Sequence, residues 1–511
     1  MARKTPTFKP YYQDQLMAIP PSLDELVRKG HPARVVNDVI NRINIQPLLD
    51  AYHIKGSSSY HPQMLLKVLV YGYVSNVYSS RKLEVACREN VNFMWLSGMS
   101  FPDHNTINRF RGARLKNALR SVFEEVVNLL SDEGLLSIEE VYTDGTKIEA
   151  NANKYTFVWK KAIQTNKEKM KKGLQDIWEY AQSIAKSEDE LPEPPDLTDI
   201  DTEKVQATVD KLNAVLADKP SVDKKVKAKL RYVTKEYPEK IAEYERKERV
   251  LGDRNSFSKT DPDATFMRMK EDHMKNGQLK PGYNVQISTS NQFIVNYTIH
   301  PNPTDTRTLS AHLAQHRDSY GKAPASLTAD AGYGSEENFQ LLENLEVEAF
   351  VKYGLFDKQQ KSSFRNKHGF AADQLFYNAE QDCYICPMGQ QMDFIGTFKQ
   401  KTSPGFVQHI KKYRARNCAG CPLNGACHKA KGNRVIQINE NLERYKARAY
   451  LLLNSERSVE KRKRRCHDVE PVFANIKQNH GFRRFMLRGK EKVAIEWGLL
   501  AIAQNIRKKA A

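Results

Sequence analysis

The spacing of hydrophobic positions along the chain predicts helices first, then strands, then long helices, then strands again. Residues 20–130 have a helical pattern, with the apolar run "MLLKVLVYGYVSNV" followed by helix starts at Ser79 or Ser80 and at Asp103. Between 157 and 252 the apolar residues mostly recur at steps of three and four, which is coiled-coil spacing. The acidic, Pro-rich segment "SEDELPEPPDLTDIDTE" interrupts that spacing, so we predict an antiparallel helical hairpin inserted into another domain.

Strand-like alternation occurs on both sides of the inserted hairpin. The stretch "LLSIEEVYTDGT" predicts a strand that ends at Asp144, and later "GYNVQIST" and "FIVNYTI" alternate around an Asn-Gln turn. Two more strands follow, "ASLTADAGYGS" ending in Asp330 and "EVEAFVKY", each preceded by a helical stretch. The first three strands can pair as a meander, whereas the last two need helical crossovers. The pattern therefore predicts an α/β fold, a mixed sheet with helices on its faces.

The charge of the chain narrows the choice of partner. At 511 residues it is long enough for several domains. Lysine and arginine exceed aspartate and glutamate by 19, which favours a polyanion, with nucleic acid the first choice and a membrane surface the second. The longest apolar stretch, at 64–74, is too short to cross a bilayer and contains Lys67. We therefore expect a cytoplasmic protein that does not enter a membrane.

Five of the seven cysteines are clustered, as C-x2-C followed after 31 residues by C-x2-C-x5-C. Two C-x2-C pairs in a reducing compartment are typical of a tetrahedral zinc site, because each pair can turn both sulfurs onto one ion. Reduced thiols without a metal and disulfides are the alternatives. The preferred zinc ligands are Cys386, Cys418, Cys421 and Cys427, with Cys383 as an alternative ligand.

Two short predicted helices, near 79–90 and 101–115, suggest a helix-turn-helix. The second helix carries amide and guanidinium groups of the kind that contact base edges and phosphates. These candidate DNA-binding residues are Asn105, Thr106, Asn108, Arg109 and Arg111. A plain helical bundle with a polar outer face is the alternative.

Two aspartates lie where predicted strands end, and a glutamate follows on a later helix. Strand ends at one edge of a sheet converge, so Asp144 and Asp330 would meet there, joined by Glu470 from a helix with one apolar stripe. Such a carboxylate cluster needs a counter-charge, and its hard oxygens suit Mg²⁺ or Mn²⁺. Two such ions, about 3.5–4 Å apart, would serve phosphoryl transfer. Lys477, seven residues after Glu470, is predicted to share its helix face.

Several blocks of the sequence resemble, in order, those of one protein family. The stretch "YHPQMLLKVLVYGYVSNVYSSRKLEVACRENVNFMWLSGMSFPDHNTINRFR" resembles the InsH-type N-terminal domain of bacterial insertion-sequence transposases. The later blocks resemble DDE transposases with an RNase H-like core: "YTDGTKIEANANKY", "DPDATFMRMKEDHMKNGQLKPGYNVQIST", "LTADAGYGSEEN", "CPMGQQM", "CAGCPLNGAC" and "VEPVFANIKQNHGFRRFMLRG". The resemblance covers most of the chain except 157–252.

The resemblance implies roles for individual residues. Asp144, Asp330 and Glu470 would be the DDE triad that binds two Mg²⁺ or Mn²⁺ ions. Lys477 would hold a phosphate of the element end.

The chain departs from the resemblance at one position. Relatives with a Tyr-Arg-Glu-Lys signature carry Arg four residues before the Glu, where this chain has Cys466. Arg464 or Arg465 is expected to substitute. The surrounding basic run 461–465 is interpreted as phosphate contacts.

The pattern and the resemblance together predict five parts. They are a helical DNA-binding domain (1–130), an RNase H-like core (131–156 and 253–360), a helical coiled-coil insertion (157–252), a small zinc-binding insertion (361–440) and C-terminal helices that complete the core (441–511).

The resemblance implies a DNA transposase that cleaves the terminal inverted repeats of its element and transfers the strand into target DNA. The expected partner is double-stranded DNA, bound by a homodimer, and the expected location is the cytoplasm, at the nucleoid. A metal-dependent nuclease on the same core and a catalytically idle zinc-containing DNA-binding regulator are the alternatives.

Overall fold

A computed structural model of the chain describes residues 21–52, 59–185, 195–216, 222–269, 277–361, 370–403 and 405–511. These residues form two compact units. One unit comprises the described residues up to Glu133 together with Gly498–Ala511, and the other comprises those from Gly134 to Trp497. The acidic segment predicted to break the long helices lies partly outside the described residues, which omit 186–194.

The helices and strands of the described ranges are numbered here in chain order. The helices are α1 (Leu23–Leu26), α2 (Pro32–Arg42), α3 (Gln46–Leu49), α4 (Pro62–Val74), α5 (Ser80–Glu89), α6 (Val91–Ser97), α7 (His104–Arg109), α8 (Leu119–Asp132), α9 (Lys160–Ala185), α10 (Thr202–Leu216), α11 (Lys224–Leu251), α12 (Leu309–Tyr320), α13 (Glu336–Asn344), α14 (Phe356–Gln359), α15 (Glu440–Leu453), α16 (Glu456–Ala474) and α17 (Lys490–Ala510). The strands are β1 (Glu140–Glu149), β2 (Phe157–Trp159), β3 (Ser256–Ser258), β4 (Thr265–Arg268), β5 (Leu279–Ser290), β6 (Phe293–His300), β7 (Ser326–Ala329), β8 (Glu348–Val351), β9 (Phe376–Asn378), β10 (Cys383–Ile385), β11 (Gln391–Lys401), β12 (Val407–Ala415) and β13 (Val435–Ile438).

The first unit is helical and is built around α4. This helix is apolar on all sides, so it is buried along most of its length, and Leu66, Val68 and Val70 have no exposed surface. α2 packs one apolar face on α4, and α6 packs beside both. The last fourteen residues of the chain, Gly498–Ala511, belong to this unit.

Both helix starts predicted in the first unit are confirmed, but the segment between them differs. α5 begins at Ser80, and the Asp103 carboxylate caps α7 by accepting a hydrogen bond from the Thr106 amide at 2.6 Å. The expected simple turn contains a further helix, α6. Asn90 explains it, because its side chain accepts a hydrogen bond from the Asn92 amide and starts a new helix directly after α5.

The second unit contains a mixed six-stranded sheet, so the predicted α/β class is confirmed. The order is β4-β5-β1-β7-β8, and β6 also pairs with β5. β1 is antiparallel to β5 and parallel to β7, and β7 is parallel to β8. Between β5 and β6, Asn291 and Gln292 both have positive φ, which matches the hairpin turn predicted from the sequence. α12 and α13 form the crossovers to β7 and β8.

The helical insertion has three helices, so the predicted two-helix hairpin was wrong. α9 and α11 pack with α10 around one apolar core that includes Leu174, Val209 and Val233, all with no exposed surface. α10 was missed because its apolar stripe follows directly after the Pro-rich break and is short. Its stripe is Val205, Val209, Leu212 and Leu216, with helical steps of four, three and four.

The cysteine-rich segment forms a separate five-stranded antiparallel sheet with the order β13-β12-β11-β10-β9. Its longest pair, β11 and β12, carries a bulge between Phe394 and Gly396. The sequence predicted no strands here. In the part of the chain that the structure describes, no helix is both long enough and apolar enough to cross a membrane.

Candidate active site

The register of β1 and β7 places two aspartates at one level of the sheet. Tyr142 of β1 pairs with Thr328 of β7, and each aspartate, Asp144 and Asp330, follows two residues later. Asp330 comes directly after β7, as predicted. Asp144 differs from the expectation, because β1 does not end there. It continues to Glu149 on the strength of its antiparallel pairing with β5, and only the pairing with β7 stops before Asp144.

α16 brings the glutamate to the same part of the sheet, since it packs on β1, β5, β7 and β8. Its orientation is fixed by the turn between β5 and β6. The Asp468 carboxylate accepts a hydrogen bond from the Gln292 amide at 3.1 Å, and the Gln292 side chain donates to the His467 carbonyl at 2.9 Å. Two residues further along, the Glu470 side chain is 52% exposed. The glutamate is therefore held on a well-anchored helix but remains accessible.

The basic run on α16 faces acidic and aromatic groups of β1 in succession. The Lys461 ammonium lies 2.9 Å from Glu140, and the Arg464 guanidinium lies over the Tyr142 ring at 5.9 Å. Lys461 is buried, 6% exposed, whereas Arg464 is exposed and donates to Asn291 at 2.5 Å. Lys461 therefore holds α16 to the sheet. It does not fit the expected role of a phosphate contact, because its charge is paired with Glu140 inside the protein.

Arg465 lies between two members of the predicted triad. Its Nη1 is 3.4 Å from Asp144 Oδ2, and its Nη2 is 3.7 Å from Glu470 Oε1. The side chains of Arg465 and Asp144 are each 16% exposed, so their attraction is screened less than that of a surface pair. Nη1 is buried and makes no hydrogen bond to the described residues. A single guanidinium thus supplies positive charge to both carboxylates.

The loop after β7 forms a tight turn around Asp330. The Asp330 carboxylate accepts a hydrogen bond from the Gly332 amide at 2.8 Å and caps a short 3-10 turn, Ala331–Tyr333. The Tyr333 ring is completely buried and its hydroxyl donates to the Gln286 side-chain carbonyl. Burial raises the pKa of Tyr333 well above its ordinary value, and nearby negative charges, Asp144 and Asp330 among them, raise it further. Tyr333 therefore stays a neutral donor.

Asp305 is a carboxylate of this region that the sequence analysis missed. One of its oxygens, Oδ1, accepts hydrogen bonds from the side-chain amides of Asn284 at 2.8 Å and Gln286 at 2.9 Å. A Cβ added at Gly145 would lie only 2.5 Å from that oxygen, so the glycine after Asp144 makes room for this carboxylate. The signal in the sequence was the glycine in "TDGT", which marks a close approach.

Lys477 lies at a change of helix type. After α16 the chain continues as a π-helical turn, Asn475–Asn479, which widens the spiral between Glu470 and Lys477. Lys477 is 8% exposed, whereas Glu470 is largely exposed. The two residues therefore do not present a common exposed face, which differs from the expectation drawn from regular α-helical spacing.

The candidate DNA-binding residues of the first unit divide into two groups. Asn105, Asn108 and Arg109 are exposed on or beside α7, and Thr106 is partly exposed. Arg111 is only 4% exposed and donates to the Tyr78 carbonyl at 2.8 Å and to Asn108 at 3.3 Å. Arg111 is therefore not exposed for the predicted contact with DNA, because its buried guanidinium donates to the protein's own backbone at Tyr78.

The four preferred cysteines line one small cavity, together with His428, while Cys383 does not. The lining includes Cys386, Cys418, Cys421 and Cys427. Arg434 donates to the Cys427 sulfur at 2.9 Å, and both ring nitrogens of His428 are buried without a hydrogen bond to the described residues. All seven cysteines are free, so the disulfide alternative is wrong for this structure.

The donor chemistry of both clusters suits metal ions. Carboxylate oxygens favour hard divalent cations, and thiols with an imidazole favour zinc. The buried, unbonded nitrogens of His428 and the cation held between Asp144 and Glu470 agree with that chemistry. Among the residues described, however, no three side chains of His, Cys, Asp or Glu stand close enough together to form a ready metal site.

Two parts of the chain match known protein families. Residues 385–510 match the family described as "Transposase DDE domain", and residues 21–113 match the family described as "Transposase domain (DUF772)". The first match includes α16 with Glu470, and the second includes α4 to α7. No curated protein and no solved structure matches the chain significantly.

Proposed function

We infer from its two domain matches that the chain is an insertion-sequence DDE transposase. On that premise, we propose that it cuts DNA at the ends of its element and joins those ends to target DNA. The transposase domains indicate a role in transposition, and the family implies DNA as substrate. Cleavage at terminal inverted repeats, strand transfer and a homodimeric assembly on DNA are the finer parts of the proposal.

The strand order supports an RNase H-like core. An antiparallel meander of β6, β5 and β1 is followed by the parallel strands β7 and β8, which is the order that the resemblance implies for such a core. α16 covers this sheet on the side of Asp144. The core would thus bring residues from distant parts of the chain to one edge.

The observation that carries the proposal is the meeting of β1 and α16 at Arg465, with Asp330 following the neighbouring strand β7. Asp144 and Asp330 lie at one level on neighbouring strands, and Glu470 is joined to Asp144 through the guanidinium. Because a guanidinium already lies between these two carboxylates, the same position suits a divalent cation. These three carboxylates would hold two Mg²⁺ or Mn²⁺ ions, which when bound would activate the attacking oxygen and stabilise the leaving one.

The remaining residues position the DNA and the carboxylates. The anchoring of α16 by Asp468 fixes the backbone from which Glu470 projects. Exposed Arg464 would contact a DNA phosphate, and Lys477 would hold a phosphate of the element end. Because phosphoryl transfer depends mainly on positioning and charge stabilisation, these contacts would determine the rate.

The exposed polar residues of α7 would read the element ends. Asn105, Asn108 and Arg109 offer the amide and guanidinium groups that pair with base edges in the major groove. In the cysteine cavity, a structural zinc ion would be held by thiols from Cys386, Cys418, Cys421 and Cys427. The absence of hydrogen-bond partners for the buried His428 ring, among the described residues, supports a further donor there.

The experiment that tests the triad compares two glutamates on the same helix. Glu470→Gln keeps size and helix propensity but removes a charged oxygen ligand, so end binding should persist while cleavage and strand transfer fall by at least roughly a hundredfold. Glu460→Gln, an exposed position on α16, is the matched control and should retain activity.

Both steps are measured with the element's own ends in Mg²⁺. Vigorous cleavage by Glu470→Gln would remove it from the triad. Cleavage without joining by the unaltered protein would favour a nuclease, and binding without either reaction would favour an idle DNA-binding regulator.

A further inference from the structure

We propose that one face of the β11–β12 hairpin holds target DNA by its phosphate backbone, whatever the sequence of that DNA. The hairpin comprises β11, β12 and the turn between them, and it belongs to the second unit. The inference rests on the proposed function and deepens it, because it names a surface for the second of the two DNAs that strand transfer brings together.

The hairpin is rich in positive charge. Between positions 391 and 416 the sequence has six lysines and arginines but one acidic residue, Asp393. Asp393 pairs with Arg416 at 2.9 Å, and Lys411 pairs with Glu440 of α15 at 2.6 Å. The other four cations form no ion pair with the residues that the structure describes: Lys399, Lys401, Lys412 and Arg414. Their charge is therefore available to an anion from outside the protein.

One face of the hairpin is covered by the protein itself. The Gln408 side chain donates a hydrogen bond to Glu336, at the start of α13, at 2.8 Å, and Ile410 is buried. Because side chains alternate along a strand, Gln408 and Ile410 point to the same side of β12. These contacts fix the hairpin against the helices beside the six-stranded sheet.

The opposite face carries two of the unpaired lysines. Lys399 lies opposite His409 in the register of the two strands, and Lys401 lies opposite Val407, so these four side chains share one face. They alternate with the covered residues of β12 and are all exposed. The sequence has no acidic residue between 394 and 415. This free face is therefore cationic and open to solvent.

The turn of the hairpin is linked to a loop of the candidate active site. The Arg307 guanidinium donates to the Ser403 hydroxyl in that turn. Thr306, the residue before Arg307, donates from its hydroxyl to the Gly332 carbonyl at 2.9 Å, and the Gly332 amide donates to Asp330. A DNA held on the free face would thus lie beside the loop that carries a predicted triad residue.

The chemistry of the free face fits a DNA whose sequence is not read. Lysine is a compact charge on a flexible stem and attracts phosphates without regard to the bases. The four residues of this face carry none of the planar amide and guanidinium groups that α7 offers for base edges. A target is held irrespective of its sequence, whereas an element end is recognised by it. A second copy of the chain fits less well, because like charges would meet across a symmetric interface.

The test separates the capture of target DNA from cleavage. Lys399→Gln combined with Lys401→Gln removes two charges from exposed positions, so the fold should be kept. Joining of pre-cut element ends to a plasmid without element sequences should fall roughly 10-fold, and the salt dependence of plasmid binding should decrease by about two counterions. Cleavage at element ends should not change. A higher plasmid concentration should restore joining, because binding of the target is weakened and the chemistry is not.

A matched variant and the cleavage assay decide between the explanations. Lys429→Gln with Lys431→Gln removes the same charge from exposed positions outside the hairpin and should leave joining unchanged. Normal joining by the hairpin variant, or an equal loss of cleavage and joining, would overturn the role of the hairpin and leave the proposed function standing. If the unaltered chain joined no ends, the proposed function would fail, and the salt dependence of plasmid binding would decide the role of the hairpin.

Acetylation of lysines in the unaltered chain tests the same surface without any substitution. Plasmid DNA should protect Lys399 and Lys401 from acetylation, whereas Lys429 and Lys431 should stay reactive. Equal reactivity of the two hairpin lysines with and without DNA would contradict the proposal. Protection that appears without DNA and increases with protein concentration would assign the free face to a second copy of the chain instead.

Discussion

At the scale of single residues, Arg465 explains how the carboxylates coexist without DNA or metal. The guanidinium stands between Asp144 and Glu470, within 3.4 Å and 3.7 Å of their oxygens. Relatives with the Tyr-Arg-Glu-Lys signature carry an arginine one residue later in sequence, where this chain has the exposed Cys466. The substitution by Arg464 or Arg465 stays a prediction, and of the two it is Arg465 whose guanidinium pairs with these acidic residues.

Replacing Arg465 should make the protein depend more on divalent cations. Arg465→Gln removes positive charge from beside Asp144, so without metal the free energy of unfolding should fall by roughly 1–2 kcal/mol, between the values for surface and buried pairs. Added Mn²⁺ should then raise the melting temperature more than it does in the unaltered chain, because no guanidinium competes for the site. Arg464→Gln is the control. If Mn²⁺ raised the melting temperature of Arg465→Gln and of the unaltered chain equally, Arg465 and the cation would not compete.

At the scale of elements, the local pattern predicted the strands and helices around the site but not their long-range consequences. The β5–β6 hairpin, β7, β8, α12 and α13 follow from alternation, turn residues and helical spacing in their own segments. Asp305 was missed because its hydrogen-bonded position depends on the pairing of Gly145 with Gln286 across β1 and β5, which no local pattern reveals. The burial of Arg111 was missed for the same reason, since its guanidinium bonds the Tyr78 carbonyl, 33 residues away.

The cysteine-rich sheet gives a prediction at this scale. If the cavity holds zinc, the purified reduced protein should contain about one zinc per chain, and Cys421→Ser should lower both zinc content and the stability of 380–430. Cys466→Ser alters an exposed cysteine outside the cavity and should leave the zinc content unchanged. Metal analysis and proteolysis of this segment measure the two effects. Active protein free of zinc would remove the ion from the proposal and leave His428 to be explained by packing.

At the scale of the whole molecule, the proposal assigns recognition and chemistry to different units. The first unit carries the exposed polar side chains of α7, and the second carries the carboxylates. The excess of 19 positive charges applies to the whole chain and supports binding of DNA irrespective of sequence. Affinity for any DNA should therefore decrease steeply with salt, while discrimination between sequences should depend on few residues.

Arg109 provides the last test, because it is exposed on α7 and its guanidinium can pair with a guanine edge. Arg109→Ala should reduce the preference for the element end over scrambled DNA by about 1–3 kcal/mol, with little change in binding to scrambled DNA. Arg81→Ala, exposed on α5, should affect both DNAs alike, as expected of a phosphate contact or no contact. Binding of both DNAs is measured at several salt concentrations. If Arg109→Ala weakened the two DNAs equally and reduced the salt dependence by about one counterion, Arg109 would contact the backbone, and the reading of sequence would rest on Asn105 and Asn108.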